Sequence, residues 1–592
     1  MKPQLLRNLI ALLLALIGPL SAQMTVSMTA SSPRIPLGTL ITWNAQVESS
    51  DGDSTGQSTI WYRYRVRRFG QAPRLIRDFG PTTNFPWNAT ENEGSYEMEV
   101  TARDIKTGES ATQIFLFEVT PLASDTPRIT PTAHPLVFIY SAPPCADGER
   151  MRVEFRAPNG DLQTTPYKPC QSGLTMNFYL AGMQQNTTYD VRQTIDTGEE
   201  FQHGPLLSVT SGVLPLQLAD YRVIKSPSPP ASGVLLQSTL SQPTVATDLN
   251  GNVLWYYDGG ISFLTRPEAG GRFLGIYEDS NADIAHQLIR EFDLAGNTLL
   301  ETNAARINEQ LALMNRRPIS GFHHEAARLP DGSILVLASV EQILTDVQGP
   351  GPVDVLGDMI LVLDKNLQVT WAWDAFDHLD PHRLATLNEI CHKASGGCPP
   401  FYQAEQANDW LHGNSLQLAP DGNILYSSRH QDWVFKIDYS NGTGSGDILW
   451  RLGKDGDFSY DSIDSYPWFS HQHDANIVDT DQSLLAVFDN GNVRRLAGDS
   501  TNSRGQVIKL DEKNRVARLI LNADLGMYSG AVGSAHSLAN GDYHFDLGLI
   551  VGPQHELMSQ SVQVDPSGSI VYQIQVSTAE YRSFRMRSLY VP

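Results

Sequence analysis

The sequence has little charge, few cysteines and, beyond its start, no long apolar run. Charged residues make up 18% of the 592 residues, below the typical share of about 25%, which excludes a disordered polyelectrolyte and a charge-laced helical rod. Lysine and arginine number 43 against 65 aspartates and glutamates, so the net charge is −22. This excess of negative charge argues against nonspecific binding to nucleic acid or to an anionic membrane.

The one long apolar run lies within the first 22 residues. Lys2 and Arg7 form a basic start, the segment NLIALLLALIGPL is apolar, and small residues around Ala22 suit cleavage. This pattern predicts a secretory signal peptide over 1–22, because the run is shorter than the about 20 residues that a transmembrane helix needs. A signal anchor is the alternative. We expect a mature protein in the periplasm or outside the cell, with no membrane span.

The four cysteines suit an oxidising compartment. Cys391 and Cys398 bracket a short loop, and Cys145 and Cys170 lie together in an earlier segment. Four cysteines allow three disulfide connectivities, of which local pairing, 145–170 and 391–398, is the simplest. A zinc site is the rival interpretation, but no pair has the C-x2-C spacing of such sites. We therefore predict two disulfides and no metal.

The first part of the chain is typical of small β-sandwiches. With 47 glycines and 35 prolines, the chain should have many turns and few long helices. Runs of alternating polarity such as ITWNAQVES and SYEMEVTARD predict an immunoglobulin-like or PKD-like sandwich over 23–122. A proline-rich hinge follows, and similar runs over 127–215 predict a second, fibronectin-III-like sandwich.

Two alternating phrases fill residues 216–592. One is an acidic turn leading into a hydrophobic strand, as in TDLNGNVLWYYD, and the other is strand, tight turn and strand, as in EAARLPDGSILVLAS. The first phrase recurs about every 60 residues, the spacing of a four-stranded propeller blade. We predict an all-β chain with a six-bladed β-propeller over 216–592. Seven blades or a large open sandwich are the alternatives.

Histidines recur beside the strand–turn–strand phrases. Because the innermost strands of all blades of a propeller line one channel, we expect residues at similar places in successive repeats to converge. Arg429 ends one such strand, and Asn414 shares the side-chain parity of His412 on an extended segment. The histidines concerned are His323, His324, His412, His471, His473 and His536.

A cluster of histidine, arginine and asparagine suits three chemistries. Metal binding would use several imidazoles and a nearby carboxylate. Sulfuryl or phosphoryl transfer would use one imidazole as nucleophile and cationic donors for the oxygens, and passive anion recognition would need the donors alone. Arg429 argues against a metal because a guanidinium repels a cation, so an oxyanion is favoured.

The order of the motifs NDWLHGNS, SSRHQD, LWRLG, HQHDANIV and VFDNG resembles that of the bacterial arylsulfate sulfotransferases, over about residues 216–592. A small disulfide-closed loop before DWLH is a further similarity. The resemblance implies an exported, cofactor-independent enzyme that moves a sulfuryl group from an aryl sulfate donor to a phenol acceptor. It also implies ping-pong kinetics through a sulfohistidine. We expect no nucleic-acid partner, and a homodimer is a further expectation.

The resemblance assigns roles to particular residues. His473 matches the nucleophile, and His412 and Arg429 match residues that bind the sulfuryl oxygens. His324 matches a histidine from an earlier blade, with His323 as the alternative at that position. The expected substrate-binding residues are Asn414, His323, His471 and His536.

Two other functions stay open at this point. A secreted propeller could serve as a binding or adhesion protein, and a propeller could hold the channel metal of a hydrolase or lactonase. The fold does not discriminate among them, because fold alone does not fix function.

Overall fold

The structure is a computed structural model that describes residues 24–48, 59–226, 232–261, 263–277, 283–393, 395, 398–399, 403–498 and 502–592. The signal peptide predicted over 1–22 lies outside these residues. Strands predominate in the described part, which confirms the all-β class. The helical segments there are short: Ala304–Leu313, Ala375–His378 and Asn492–Leu496, with 3-10 turns at Ile284–His286 and Ser440–Gly442. Among them no helix is long and apolar enough to cross a membrane.

The chain divides into two compact units, of which the first consists of residues up to 88 together with 94–120. Its strands form two sheets, in the orders β1-β3-β6 and β2-β8-β7-β4-β5. They are β1 (Thr25–Ala30), β2 (Arg34–Pro36), β3 (Ile41–Glu48), β4 (Ile60–Arg68), β5 (Arg74–Gly80), β6 (Asn84–Trp87), β7 (Gly94–Asp104) and β8 (Ser110–Thr120).

Alternating polarity explains how the first unit forms its core. In β3 every second side chain from Ile41 to Ala45 is buried, while the residues between them are exposed. Trp43 of β3 packs edge-on against Phe117 of β8, with ring centroids 5.0 Å apart. The period of two thus places one face of each sheet in the core.

The second unit consists of residues 89–93 and 121–592, and its first part again contains two sheets. Their orders are β14-β10-β9 and β12-β11-β15-β16, with β13 paired to β11 and β17 paired to β15. The disulfide Cys145–Cys170 lies in the apolar core of this part. The strands are β9 (Arg128–Pro131), β10 (Phe138–Ala142), β11 (Arg150–Arg156), β12 (Gln163–Thr164), β13 (Lys168–Pro169), β14 (Met176–Leu180), β15 (Thr188–Asp196), β16 (Phe201–His203) and β17 (Leu207–Thr210).

The remainder of the second unit is built of short antiparallel strands. The first of them are β18 (Tyr221–Lys225), β19 (Val234–Thr239), β20 (Thr244–Asp248), β21 (Val253–Tyr257), β22 (Thr265–Glu268), β23 (Arg272–Tyr277), β24 (Leu288–Asp293), β25 (Thr298–Asn303), β26 (Gly321–Arg328), β27 (Ile334–Thr345), β28 (Pro352–Leu363), β29 (Val369–Asp374), β30 (Ile390–His392) and β31 (Gln406–Asp409).

The antiparallel strands of the second unit continue to the end of the chain. The later strands are β32 (Gly413–Leu418), β33 (Ile424–Ser428), β34 (Trp433–Ile437), β35 (Ile448–Gly453), β36 (Ser459–Asp461), β37 (His473–Ile477), β38 (Leu484–Asp489), β39 (Arg504–Asp511), β40 (Val516–Asp524), β41 (Ser534–Ser537), β42 (Tyr543–Val551), β43 (Leu557–Val564), β44 (Ile570–Val576) and β45 (Glu580–Met586).

These strands form six consecutive sheets of four strands that pair in sequence order. We number them sheet 1 (β45 and β19–β21), sheet 2 (β22–β25), sheet 3 (β26–β29), sheet 4 (β32–β35), sheet 5 (β37–β40) and sheet 6 (β41–β44). Strands β30 and β31 extend sheet 3, β36 extends sheet 5 and β18 extends sheet 6. Sheet 1 therefore joins the end of the chain to the start of this region, because β45 pairs with β19.

The first strands of successive sheets lie against one another. Strand β26 contacts β32, β32 contacts β37, β37 contacts β41, and β41 contacts β45. Three of these strands carry a β-bulge at the histidine motifs: register shifts occur between Phe322 and Ala326, between Gly413 and Ser415, and between His473 and Asn476. Bulges re-aim side chains and are common next to active sites.

Candidate active site

His473 is the first residue of β37 and is 1% exposed. Its Nδ1–H donates to Oδ1 of Asn490 at 2.7 Å, and the backbone N–H of Val532 donates to its Nε2 at 3.2 Å. Burial, together with the nearby charge of Arg429, holds the pKa of His473 well below its usual range. The imidazole is therefore neutral at neutral pH, with its lone pair on Nε2.

The segment 529–532 lies between His473 and Arg429. Asn490 Nδ2 donates to the carbonyls of Ser529 and Val532, at 2.8 and 3.1 Å, and Arg429 Nη2 donates to the carbonyl of Gly530 at 3.2 Å. Val532 has a φ of +54°, a left-handed conformation that is rare for a β-branched residue. Because His473 and Arg429 contact the same strained segment, the fold brings the two predicted residues together.

Arg429 and His412 are joined through His430 and Asp409. Arg429 Nη1 donates to Nε2 of His430 at 2.6 Å, and His430 Nδ1–H donates to the carbonyl of Asp409 at 2.6 Å. His412 Nδ1 donates to the Asp409 carboxylate at 2.7 Å, and its ring stacks on His430 with centroids 4.5 Å apart. Burial holds the pKa of His430 well below its usual range. Asp409 thus orients both imidazoles, and His430 orients the guanidinium.

His324 and His323 lie beside His412 in one pocket. The rings of His324 and His412 meet edge to face, with centroids 4.9 Å apart. Nδ1 of His323 lies 2.8 Å from Nδ1 of His324, and Nε2 of His323 lies 3.2 Å from Oδ1 of Asp358. Burial, with the nearby His412 and His323, holds the pKa of His324 well below its usual range.

The pocket around these histidines is mostly apolar, as a ring-binding pocket should be. Its wall includes one residue of the disulfide Cys391–Cys398, which is formed as predicted. Its polar lining residues are the two aspartates and three histidines just described, together with Gln287 and Ser339. Its other lining residues include Phe263, Phe322, Leu356, Cys398 and Pro399.

His471 lies outside this pocket group, although parity on a regular strand would have placed it beside His473. It has a φ of +52° and precedes β37. Its Nε2 bonds to Glu389, and its Nδ1 lies 3.0 Å from Oδ1 of Asp432. Burial lowers the pKa of His471, but the hydrogen bonds to Asp432 and Glu389 outweigh burial and raise it. Both nitrogens are therefore engaged by carboxylates.

His536 and Asn414 border a buried layer of charge beneath the histidines. His536 Nε2 lies 3.3 Å from Oδ2 of Asp474, and Asn414 Nδ2 donates to the carbonyl of Gln472 at 2.6 Å. Oδ1 of Asn414 is buried and has no hydrogen-bond partner among the described residues. The carbonyl of Asn414 accepts from Arg582. His536 is thus tied to Asp474, while Asn414 lies directly beside the residue before His473.

Arg582 is the centre of that buried layer and is fully buried. It lies 2.8 Å from Oε2 of Glu325 and 3.3 Å from Oδ1 of Asp474, and Glu325 also pairs with Arg266 at 2.8 Å. Burial raises the pKa of Asp474, but Arg582, together with His536 and Arg266, outweighs burial and lowers it to about 2. These residues come from sheets 1, 2, 3 and 5, so the layer ties the sheets together beneath the site.

Several residues of the site were missed by sequence reasoning. His430 follows Arg429 directly in SSRHQD, so the sequence carries a signal for it, whereas Asp358 stands outside the motifs quoted above. Asn490 stands in VFDNG, a motif in which the sequence alone assigns no role to the asparagine. Arg582 and Val532 have no local sequence signal, because their importance comes only from contacts with residues far away in the chain.

Two groups of side chains in the described part of the chain have the spacing of metal ligands, and one of them lies within this site. It consists of Asp409, His412 and His430. Asp409 already accepts a hydrogen bond from His412, and Arg429 donates to His430. A guanidinium in contact with a ligand opposes a cation there, so the group is better suited to binding an anion. The other such group includes Cys145 and Cys170, which are disulfide-bonded.

The described part of this all-β unit brings neutral imidazoles and the guanidinium of Arg429 close together, an arrangement suited to binding an oxyanion. The family model for arylsulfotransferase (ASST) matches residues 193–585. The chain therefore belongs to the arylsulfotransferase family, and aryl sulfotransferase activity is what that family implies.

Comparisons with individual proteins add little to the family match. No curated protein matches the chain. A protein of unknown function from Bacteroides caccae is similar at 12% identity and a TM-score of 0.36, over 60% of this chain and 100% of that one. The FN1–FN3 domains of chicken CNTN1 show 9% identity and a TM-score of 0.14, over 32% and 68% of the two chains. A cytokine receptor complex shows 14% identity and a TM-score of 0.13, over 32% and 98%.

Proposed function

We propose that this protein transfers a sulfuryl group from an aryl sulfate ester to an acceptor phenol, through a sulfohistidine at His473. The observation that carries the proposal is the setting of His473. Asn490 holds its Nδ1–H, its pKa is depressed, and Nε2 is left as the nucleophilic nitrogen. A neutral imidazole with one fixed lone pair is what attack at sulfur requires.

The first half-reaction forms one bond and breaks one. Nε2 of His473 attacks sulfur, the N–S bond forms, the S–O bond to the aryl group breaks, and the aryl oxygen leaves as a phenolate that then takes up a proton. The Val532 N–H, which donates to Nε2 in this structure, must release that lone pair as the bond forms. In the second half-reaction the oxygen of another phenol loses its proton and attacks the same sulfur, the N–S bond breaks, and His473 is restored. Donor product leaves before acceptor binds, which gives ping-pong kinetics.

Fixed positive charge would stabilise the sulfuryl oxygens during both steps. The Nε of Arg429 is buried and has no hydrogen-bond partner among the described residues, so it is available as a donor. We assign Arg429 and His412 to the sulfuryl oxygens and Asn414 to the pocket beside them. Removing one such donor typically lowers the rate by about 10²–10³-fold. His471 and His536 are proposed as supporting residues, because carboxylates already engage them.

We also propose that residues 216–592 form a six-bladed β-propeller. Support comes from six consecutive four-stranded sheets, from the contacts that link the first strands of sheets 3 to 6 and β45, and from β45, which completes sheet 1. A propeller closed by strands from both ends of the region leaves only short edges. The immunoglobulin-like module at 23–122, the fibronectin-III-like module at 127–215 and a homodimer remain predictions.

Export to the periplasm or beyond the cell is part of the proposal. The two disulfides support it, because disulfides persist in oxidising compartments. A secreted binding protein would carry the same disulfides, but it would release no phenol from a chromogenic aryl sulfate. A metal-dependent hydrolase would lose its activity on chelation, whereas the proposed transferase would keep it.

The test compares two neighbouring histidines. Wild-type enzyme quenched with 4-nitrophenyl sulfate and no acceptor should carry a sulfuryl adduct on the peptide containing His473, detected by mass spectrometry. His473→Ala should abolish both nitrophenol release and labelling. His471→Ala, the matched variant two residues away, should keep labelling at a reduced rate. An adduct on His412 or His471, or full labelling of His473→Ala, would show that the nucleophile is another residue.

A further inference from the structure

We propose that Asp358, His323 and His324 form a proton relay that protonates the departing phenol and deprotonates the accepting one. The inference rests on the proposed function and names the residues that move its proton. His324 touches the phenol oxygen, and His323 and Asp358 act through it. None of the three is needed to hold the sulfuryl oxygens.

The geometry of the three residues is that of a chain. The carboxylate of Asp358 lies 3.2 Å from Nε2 of His323, and Nδ1 of His323 lies 2.8 Å from Nδ1 of His324. Tyr426 O–H and the N–H of Gly413 also donate to Asp358, the latter at 2.7 Å. Burial raises the pKa of Asp358, but His323, Tyr426 and the N–H of Gly413 together outweigh burial and lower it. One end of the chain is therefore a stable anion.

The other end of the chain faces the pocket. His324 lines the pocket, and its contact with His323 uses Nδ1, which leaves Nε2 on the other side of the ring. The ring of Phe263 lies beside it, with centroids 5.2 Å apart, and Phe322 and Leu356 line the same pocket. An aromatic ring bound on these apolar groups would bring its oxygen to a side chain that can exchange a proton.

Two imidazoles are needed because His324 cannot carry the positive charge itself. It is buried, with Arg582 and His412 acting on it, and these groups oppose a cation at that place. Nε2 of His323 lies 3.2 Å from the Asp358 carboxylate, so a positive charge on His323 has an anion beside it. A shift of one proton along the contact between the two Nδ1 atoms moves the charge away from His324.

The proton balance closes over one cycle. In the acid form, His323 carries protons on both nitrogens beside Asp358, and His324 carries its proton on Nε2. When the S–O bond of the donor breaks, Nε2–H passes to the phenolate oxygen, and the Nδ1 proton of His323 moves to Nδ1 of His324. Both imidazoles are then neutral. The O–H of the acceptor phenol reverses these two transfers while its oxygen attacks sulfur, and the acid form is restored.

His412 with Asp409 is the rival acid, since they form a second histidine–aspartate pair at 2.7 Å. We assign that pair to the sulfuryl oxygens because His412 stacks on the His430 that holds Arg429. The two assignments predict that the rate depends on the leaving group in different ways. Loss of the group that protonates the leaving phenol lowers the rate most for aryl sulfates with poor leaving groups. Loss of a group that binds the sulfuryl oxygens lowers the rate equally for all aryl sulfates.

The experiment measures kcat/KM with phenyl sulfate and with 4-nitrophenyl sulfate at a fixed acceptor concentration. Phenol is a poor leaving group with a pKa of about 10, like tyrosine, and 4-nitrophenol is far less basic. His323→Phe should lower kcat/KM by about 10²-fold with phenyl sulfate and leave 4-nitrophenyl sulfate nearly unaffected. His323→Asn is the second variant, and thermal melting checks that both fold. His382 forms a surface pair with Asp380, so His382→Phe is the matched control and should leave kcat/KM unchanged with either donor.

The outcomes separate the relay from the proposed function. An equal loss on both donors in the folded His323 variants, or no loss on either, overturns the relay while His473 labelling in the wild type stays intact. A selective loss in Asp409→Asn instead of the His323 variants also overturns it, in favour of His412. A wild type that transfers no sulfuryl group and shows no adduct overturns the proposed function itself.

Discussion

At the scale of single residues, neighbours decide what each histidine can do. His471 and His473 are two residues apart, yet one is held by carboxylates and the other by an amide, and their pKa values move in opposite directions. The imidazole held by carboxylates supports the structure, and the neutral imidazole of His473 is the one proposed to react. Residue type alone could not distinguish them.

The pairing of His471 predicts a pH-dependent contribution to stability. Its pKa is raised in the folded protein above the ordinary value near 6.5. The stabilisation is therefore complete below about pH 6.5 and is lost as pH rises through the raised pKa. His471→Gln should lower the free energy of unfolding by about 3 kcal/mol at about pH 6, with a deficit that narrows at alkaline pH.

Urea unfolding at several pH values measures this deficit. His382→Gln is the matched control, because His382 pairs with Asp380 at 2.8 Å but is 70% exposed, and exposed pairs contribute little. If the stability lost in His471→Gln stays constant or grows with pH, the pKa of His471 is not raised in the folded protein.

At the scale of elements, a short disulfide loop positions part of the site. Cys391 stands in β30, which pairs with β31, and β31 ends at Asp409. The Sγ of Cys391 lies 3.4 Å from the carboxylate of Asp409 that orients His412. The loop, the strand pair and the histidine thus form one connected path.

Removing this disulfide should harm activity more than stability. A loop this short contributes about 2–3 kcal/mol in the loop-entropy model, which shifts the melting temperature of a large unit by only a few degrees. Misplacement of a catalytic group can lower the rate by about 10²-fold. We expect Cys391→Ser with Cys398→Ser to lower kcat/KM by about that factor, measured beside calorimetric melting.

The second disulfide provides the matched control. Cys145–Cys170 lies in the core of residues 121–215, so Cys145→Ser with Cys170→Ser should lower the melting temperature and spare kcat/KM. Free thiols at Cys391 and Cys398 in the native protein, or equal losses of activity in both double variants, would contradict the positioning role.

At the scale of the whole molecule, Arg582 joins distant parts of the chain. It pairs with Glu325 of sheet 3 and Asp474 of sheet 5, and it donates to the carbonyl of Asn414 in sheet 4. Its own strand, β45, pairs with β19. One guanidinium therefore holds four sheets together directly under the histidines.

Arg582→Met should remove the positive charge that balances the buried carboxylates of Glu325 and Asp474, although Arg266 still pairs with Glu325. Breaking a buried pair typically costs about 3–5 kcal/mol, and we expect a loss of that size in urea unfolding. Arg518→Met is the control, because Arg518 and Asp461 pair at 2.9 Å on the surface with both side chains more than 60% exposed, where a pair contributes about 0–1 kcal/mol. Equal losses in the two variants would show that the buried layer does not join the sheets.

The sequence by itself determined the all-β class, both local disulfides and membership of the arylsulfotransferase family. Each of these depends on local signals: alternating polarity sets which face of a strand is buried, and cysteines close in the chain can pair without long-range information. The ordered motifs around His412, Arg429 and His473 belong to this group, because each is a short stretch of sequence.

Only the tertiary structure decided how the site is connected. Left-handed residues such as His324, His412 and Asp474, together with the bulges, break the two-residue period, so parity could not place His471. Asn490, Arg582 and Val532 act through contacts with partners far away in the chain. The charge of a buried histidine depends on which groups surround it, and those groups meet only when the sheets are assembled.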